Sequence, residues 1–223
     1  MPERKKSQTD TIAGIEVPEK PTGNRRLTQE ERSAISDQRM FNAAMNLIGV
    51  QGAYKTTLKD ICEAAGYSRG LANYRFGSKD AFFGELIEHF NKAWAKALRS
   101  NVGDARGREA IHLALDAFEQ FLFDHGTYMR GRYIIMFESL GGESPVRTTL
   151  KEVHKAYIRD MAGWVREGIE DGEISADEDP EDFAEFYCSI IFGTVFQWLV
   201  RPEDTDVAKM CASFRRKIDV ILG

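Results

Sequence analysis

Residues 56–79 read TTLKDICEAAGYSRGLANYRFGSK and contain two short helical patterns separated by a tight turn. Thr57 has the side chain of a helix N-cap, and Asp60 follows three positions later, as in a capping box. Apolar residues then recur at helical spacing as far as Gly66, a residue suited to the left-handed backbone that often ends a helix. Ser68 is the predicted cap of a second short helix.

Two short helices joined by a turn that contains glycine form the helix-turn-helix pattern. The second predicted helix, residues 68–76, has few apolar residues for its length, and Arg69, Asn73 and Arg75 add polar groups. A helix that packs on one side and enters a DNA groove on the other has this composition, with its N-terminal residues facing base edges. The stretch therefore predicts direct contacts with DNA.

The same stretch resembles the DNA-binding domain of the TetR family of transcriptional regulators. The resemblance starts near Arg39, whereas the C-terminal half is similar to the family in layout and much less in motif. Asn73 and Tyr74 differ from the family pattern, which usually has an aromatic residue and often a histidine at these positions. The matching segments are Thr56-Thr57-Leu58, Asp60-Ile61, Ala65-Gly66, Ser68-Arg69-Gly70 and Phe76-Gly77-Ser78-Lys79-Asp80.

The resemblance implies an all-α fold with an N-terminal three-helix helix-turn-helix DNA-binding domain and a C-terminal helical ligand-binding and dimerisation domain. Apolar periodicity and turn residues divide the chain accordingly. Residues 1–27 form a predicted disordered arm, whose basic residues either touch DNA phosphates or only keep the chain soluble. Residues 28–77 are the predicted DNA-binding domain, residues 78–100 a connecting helix, and residues 101–223 the effector-binding and dimerisation domain.

The formal net charge of −5 alone argues against a nucleic-acid partner, but the distribution of charge does not. Residues 1–100 contain 16 Lys and Arg against 12 Asp and Glu, whereas residues 101–223 contain 14 against 23. The first part is therefore positive by 4 and the second negative by 9. This asymmetry fits a DNA-facing end joined to an acidic body, although chance clustering can also produce it.

Base reading is assigned to the second predicted helix. Arginine pairs with guanine and asparagine with adenine through two hydrogen bonds each, so Arg69 and Asn73 are the predicted base-reading residues. Ser68 and Gly70 allow the backbone to approach the DNA closely, with the Ser68 hydroxyl in reach of a phosphate.

Phosphate contacts are predicted for Tyr74 and Arg75, although Arg75 is equally explained as a cation at a helix C-terminus. Lys79 lies in the first turn of the next helix, where it opposes the helix dipole. The family resemblance favours a phosphate partner for this ammonium over simple solvation. The complete predicted DNA-contact set is Thr57, Ser68, Arg69, Gly70, Asn73, Tyr74, Arg75 and Lys79.

The aromatic content of the C-terminal half suits a largely apolar pocket. By resemblance, this pocket binds a small, mostly apolar effector that releases the protein from DNA, since relief of repression is the usual outcome in the family. Ordinary core packing is the alternative for each residue. The candidate effector-binding residues are Phe118, Phe121, Tyr133, Phe137, His154, Tyr157 and Trp164.

The helix predicted near residues 180–200 is apolar almost all round and must be buried on every side. A second amphipathic helix at residues 206–222 would complete a four-helix interface between two subunits. The family is similar in this respect, and a homodimer would read a palindromic DNA operator with two recognition helices. The alternative is that both helices complete a monomeric core.

Cysteine spacing, apolar segments and enzyme motifs bear on the cellular compartment and on alternative functions of the protein. Cys62, Cys188 and Cys211 are far apart, which predicts no disulfide framework and favours the cytoplasm. The N-terminus has no apolar signal segment, and the apolar run at residues 190–200 is too short to span a bilayer, so no membrane partner is predicted. Enzyme motifs are absent, so no cofactor, metal site or catalytic residue is predicted. An all-α enzyme and a non-specific DNA-binding protein are the alternative functions.

Overall fold

The computed structural model describes residues 27–223, so the predicted arm lies outside the described residues except for Leu27. Over the described range the chain forms α-helices and no strands, which confirms the predicted all-α fold. The helices are α1 (Gln29–Gln51), α2 (Leu58–Ala64), α3 (Leu71–Phe76), α4 (Lys79–Val102), α5 (Gly107–Asp124), α6 (Gly126–Ser139), α7 (Pro145–Glu170), α8 (Pro180–Val200) and α9 (Val207–Leu222).

The predicted helix caps are confirmed where the capping residues lie close together in the sequence. The Thr57 hydroxyl accepts from the Asp60 amide, and the Asp60 carboxylate accepts from the Thr57 amide, so the capping box of α2 is complete. Thr28 and Glu31 form the equivalent box at the start of α1. Gly66 has a φ of 77°, the left-handed conformation expected after α2.

Two helix boundaries differ from the predictions. Helix α3 begins at Leu71 with Gly70 as its N-cap, and Ser68 does not cap it. Residues 68–71 instead form a turn, in which the Leu71 amide donates to the Ser68 carbonyl at 3.0 Å. Helix α4 continues to Val102, and Gly103 follows it with a φ of 57°. The connecting helix is therefore longer than predicted, and the link to α5 is shorter.

Aromatic packing joins the N-terminal helices. The Phe41 ring of α1 lies 6.0 Å from the Phe76 ring of α3 and 5.3 Å from the Phe82 ring of α4. The Phe76 and Phe82 rings meet edge to face at 4.9 Å. Each buried ring contributes about 1.5–3 kcal/mol through removal of apolar surface from water. This cluster fixes α3 on the rest of the molecule.

The C-terminal helices pack around α4. Helices α5 and α7 both lie against α4, α8 lies against α7, and α9 packs on α5 and α8. Helix α6 crosses between the two parts of the molecule, with its most extensive packing against α1. The helices thus form one continuous hydrophobic core from α1 to α9.

Helix α8 is the element that bears on the expected absence of a membrane span. With 21 residues, the helix is long and apolar enough to cross a bilayer by length and composition. The expectation from the sequence concerned only residues 190–200. Core helices of soluble proteins pass the same test. Phe186, Phe196 and Val200 of α8 are exposed, so part of its apolar surface lies on the outside of the subunit.

His89 introduces a pH dependence into the core around α4. Its ring lies 5.0 Å from the Phe41 ring, and its Nε2 atom is buried with no hydrogen-bond partner in the described part of the chain. Burial lowers the pKa of His89 below its ordinary value, with a smaller contribution from Lys92. The imidazole is therefore held in its neutral form in the folded chain.

We expect the free energy of unfolding to fall as the pH drops below the ordinary histidine pKa of 6.5, because the unfolded chain then binds a proton that His89 resists in the fold. A His89→Phe variant should lose less stability than the wild type between about pH 7.5 and pH 5.5, as measured by urea midpoints. His154→Phe, beside the Phe192 ring, is the matched control. Equal losses in the wild type and His89→Phe would contradict this assignment.

Candidate DNA-contact surface and ligand cavity

Helix α3 presents one face to the core and the other to solvent. Ala72 and Phe76 are buried, and they lie four residues apart, as the inner face of a helix requires. Arg69, Asn73 and Tyr74 are exposed, with Tyr74 retaining 92% of its accessible surface. The structure therefore leaves both predicted base-reading residues, Arg69 in the turn before α3 and Asn73 within it, exposed to solvent.

Arg69 forms an ion pair with Glu63 of α2. The two side chains are 71% and 44% exposed, so the pair is screened by water and contributes little to stability. This guanidinium can exchange its carboxylate partner for another acceptor at small cost.

Arg75 is held differently, although it is only six positions further along the chain. Its Nε and Nη2 atoms donate to the two carboxylate oxygens of Asp37 in α1. The Asp37 side chain is only 16% exposed, and its hydrogen bond raises the pKa of Arg75. Arg75 thus connects α3 to α1. The sequence had suggested a phosphate contact or a cation at a helix C-terminus, and neither interpretation included this ion pair. Contact with a DNA phosphate would compete with this ion pair.

Lys79 also has partners within the protein. Its Nζ atom donates to the Ala53 carbonyl at 2.8 Å and the Tyr54 carbonyl at 2.9 Å, and lies 5.5 Å from the Phe83 ring centroid. The ammonium therefore joins the start of α4 to the loop after α1, rather than being simply solvated. An ammonium has three donors, so one remains for a phosphate.

Of the three remaining predicted contacts, Thr57 lies at the start of α2, and Ser68 and Gly70 lie between α2 and α3. The Thr57 hydroxyl accepts from the Asp60 amide at 3.2 Å and donates to the Asp60 carboxylate at 2.6 Å. Donation from the Thr57 hydroxyl, and then from the Thr57 backbone amide, to the Asp60 carboxylate lowers the pKa of Asp60. The hydroxyl is thus occupied by the cap. Ser68 and Gly70 are exposed in the turn before α3, beside Arg69.

A cavity of about 100 Å³ lies among helices α4 to α8. Its walls are almost entirely apolar and aromatic, as in small-molecule sites. Of the seven predicted effector-binding residues, five line this cavity: Phe118, Phe121, Tyr133, Tyr157 and Trp164.

The predictions for Phe137 and His154 place them in the pocket, but neither residue lines this cavity. Phe137 lies one turn beyond Tyr133, is 47% exposed, and has its ring 6.2 Å from the Phe196 ring of α8. His154 lies 5.8 Å from the Phe192 ring and lines a separate surface groove. Helical spacing alone does not show where along a helix the cavity ends.

Sequence reasoning missed the polar residues of the cavity. Arg132 and Tyr187 line it with side chains that are 4% and 5% exposed, and Asp160 lines it as well. Cys188 also lines the cavity, and burial raises the pKa of its thiol to about 11. The sequence feature that could have indicated a polar group in the cavity is the charged Arg132 directly before the apolar run at residues 133–137.

The described residues contain no group of three His, Cys, Asp or Glu side chains that could hold a metal ion. All three cysteines of the chain are buried free thiols.

Two protein-family models match the chain in the regions just described. The model for bacterial regulatory proteins of the tetR family matches residues 41–86, from the Phe41 cluster through α3 into α4. The model for the tetracyclin repressor-like C-terminal domain matches residues 132–214, which begin at Arg132 of the cavity. Together the two matches cover both parts of the fold.

The chain is also similar to individual regulators. It is 28% identical over 194 residues to the uncharacterized HTH-type transcriptional regulator YwcC of Bacillus subtilis, an alignment that covers 81% of each chain. The fold is similar to that of FadR from Bacillus subtilis, solved in complex with stearoyl-CoA, with a TM-score of 0.73, 18% identity, and coverage of 83% of this chain and 99% of that chain.

A putative transcriptional regulator from Saccharomonospora viridis, solved in complex with choline, has a TM-score of 0.65 at 18% identity, with coverage of 83% of this chain and 94% of that chain. The similar structures thus include complexes with chemically different ligands. With both domain models matched and the fold shared along the described chain, this protein belongs to the TetR family of transcriptional regulators, with a helix-turn-helix domain followed by a ligand-binding domain.

Proposed function

We propose that the protein is a repressor that binds a palindromic operator as a homodimer and is released by a small, mostly apolar effector. The observation that carries this proposal is the free face of α3. Asn73 and Tyr74 are exposed on it and Arg69 is exposed in the turn before it, while Phe76 and the Arg75–Asp37 ion pair hold the helix from behind. A rigid helix with adaptable polar groups on its outer face suits base reading in a major groove.

Within this surface, Arg69 reads guanine and Asn73 reads adenine, each through two hydrogen bonds. Tyr74 and the remaining ammonium donor of Lys79 contact phosphates, with Ser68 and Gly70 close to the backbone of the DNA. Thr57 contributes mainly by capping α2, since its hydroxyl is already bonded on both sides. We leave Arg75 out of the contact set because Asp37 holds its guanidinium.

Selection of bound fragments from random duplex DNA tests the proposal. We expect a palindrome, and we expect Arg69→Ala to weaken binding to it by about 1–3 kcal/mol per half-site while relaxing the preference at one base pair in each half-site. Arg99→Ala removes the same charge at the far end of α4 and is the matched control. Recovery of fragments without a shared sequence would instead favour non-specific DNA binding.

A second copy of the chain is proposed to cover the outer face of α8 and the end of α9. Phe186, Phe196 and Val200 of α8 are 40%, 51% and 61% exposed, and Val220 of α9 is 82% exposed. So many exposed apolar side chains on two adjacent helices are typical of a protein–protein interface. A twofold axis there would place two α3 helices on half-sites about one DNA turn, roughly 34–36 Å, apart.

We expect Phe196→Glu to convert the dimer to a monomer, because it places a charge in the apolar centre of the proposed interface. Sedimentation should show half the mass, and affinity for the selected palindrome should fall about 100-fold or more as the second recognition helix is lost. Phe196→Leu keeps the apolar contact and should remain dimeric. A Phe196→Glu protein that stays dimeric would place the interface elsewhere.

Helix α6 provides the proposed connection between effector and DNA. One face of it contributes Arg132 and Tyr133 to the cavity. Elsewhere on the same helix, the Tyr128 hydroxyl donates to Asn42 of α1 at 2.8 Å, and Glu138 accepts from the Ala53 amide at 3.0 Å.

The Ala53 carbonyl in turn accepts from Lys79, at the start of α4. A ligand that shifts α6 therefore acts on α1, on the loop after it and on the first turn of α4. By linkage, preference of the ligand for the shifted state lowers operator affinity by the same factor. The proposed site of action is the cytoplasm, and the free buried thiols of all three cysteines fit a reducing compartment.

A further inference from the structure

Arg132 is a buried cation that has no ion-pair partner among the described residues. Its side chain lines the cavity with 4% exposure, its Nε atom has no hydrogen-bond partner, and no carboxylate of the described residues pairs with it. Its nearest cation–π neighbours are the rings of Phe90, at 5.1 Å, and Tyr133, at 5.6 Å. A ring face offsets only part of the cost of removing a guanidinium from water.

Other polar groups around the cavity are also unpaired. The Tyr187 hydroxyl is buried in the same cavity and has no hydrogen-bond partner within residues 27–223. The Tyr157 hydroxyl donates to the Asn91 side-chain oxygen at 3.2 Å, while the Asn91 amide nitrogen is buried without an acceptor. The Arg132 guanidinium also lies within hydrogen-bonding range of the Tyr157 hydroxyl. Its Nε atom and the Tyr187 hydroxyl are therefore the spare donors of the cavity among the described residues. The group that would satisfy them is a hydrogen-bond acceptor.

The charges around the cavity indicate what kind of acceptor fits. The lining contains one cation, Arg132, and one carboxylate, Asp160. Asp160 is 47% exposed and is paired with Arg159 at 2.8 Å, so it does not neutralise Arg132. A single buried positive charge matches a single negative charge. A cationic ligand would be repelled, and a neutral one would leave the guanidinium unpaired.

We propose that the cavity binds an apolar molecule carrying one anionic oxygen group, with a carboxylate as the best match, and that Arg132 recognises this group. Guanidinium and carboxylate geometries match through two parallel hydrogen bonds. The aromatic walls, including Trp94 and Trp164, surround the apolar part. This inference rests on the proposed role of the cavity as the effector site and narrows the chemical class of the effector.

The test compares three probes with the same apolar chain: octanoate, 1-octanol and octyltrimethylammonium. Trp94 and Trp164 line the cavity, so tryptophan fluorescence reports binding directly. We expect the wild type to bind octanoate about 10- to 100-fold more tightly than octanol, the range of a charge-assisted hydrogen bond. The ammonium should bind most weakly. Octyl phosphate, a fourth probe, should bind less tightly than octanoate because its second charge has no partner.

Arg132→Met removes the charge while keeping a long apolar side chain, and should abolish the preference for octanoate over octanol. Arg130→Met, two residues away on α6, is the matched control and should keep the preference. The proposal is wrong if octanol or the ammonium binds the wild type as tightly as octanoate. It is also wrong if octanoate binds the wild type no more tightly than it binds Arg132→Met.

The thermal stability of the ligand-free protein gives a second readout. An unpaired buried guanidinium is costly, so Arg132→Met should raise the Tm by about 2–4 °C, whereas Arg130→Met should not. A fall in Tm on Arg132→Met would show that the guanidinium has a structural partner instead, and would overturn the proposal.

Operator binding separates this inference from the proposed function. If octanoate binds through Arg132 but leaves the affinity for the selected palindrome unchanged, the anion site stands and the proposed release mechanism fails. If octanol releases the DNA as effectively as octanoate, release by an apolar effector stands and the anion site fails.

Discussion

The packing of α6 against α1 is the constraint on which the rest of the structure depends. Gly131 of α6 lies so close to Met45 of α1 that a Cβ atom at this position would come within 2.6 Å of the Met45 sulfur. Two hydrogen bonds flank this contact, from Tyr128 to Asn42 and from the Ala53 amide to Glu138. Because packed interiors transmit displacements rather than absorb them, α1 must follow any sizeable movement of α6. The orientation of the DNA-contact surface is thus tied to a helix of the ligand-binding domain.

The two arginines near α3 show how the DNA-contact surface combines rigidity with adaptability. Arg75 is bonded twice to a mostly buried carboxylate and so belongs to the scaffold. Arg69 has an exposed partner, Glu63, that water screens. Releasing Arg69 toward a base therefore costs little, whereas releasing Arg75 would loosen α3 itself. Lys79 combines both roles. Its ammonium donates two hydrogen bonds to the loop carbonyls and has one donor left.

What the sequence predicted depended on how local each interaction is. The capping boxes and the turn at Gly66 were predictable because the partners lie within a few residues of one another. The pair between Arg75 and Asp37, which are 38 positions apart, was not, because many exposed carboxylates could have been its partner. The cavity shows the same limit. Its aromatic residues could be proposed from composition, but which ones face it depends on how five helices meet, so Phe137 was included and Arg132 was missed.

The unpaired state of Arg132 also bears on why a ligand would move α6. A cavity of about 100 Å³ is small compared with pockets that enclose whole ligands, about 300–1,000 Å³, so binding requires its walls to separate. Helices α7 and α8 pack extensively on each other, whereas α6 packs more on α1 than on any wall of the cavity. The wall that moves most easily is therefore the one that carries Arg132. In the proposed mechanism, pairing this guanidinium would supply free energy at the helix that shifts, and α1 would receive the displacement through Gly131 and Glu138.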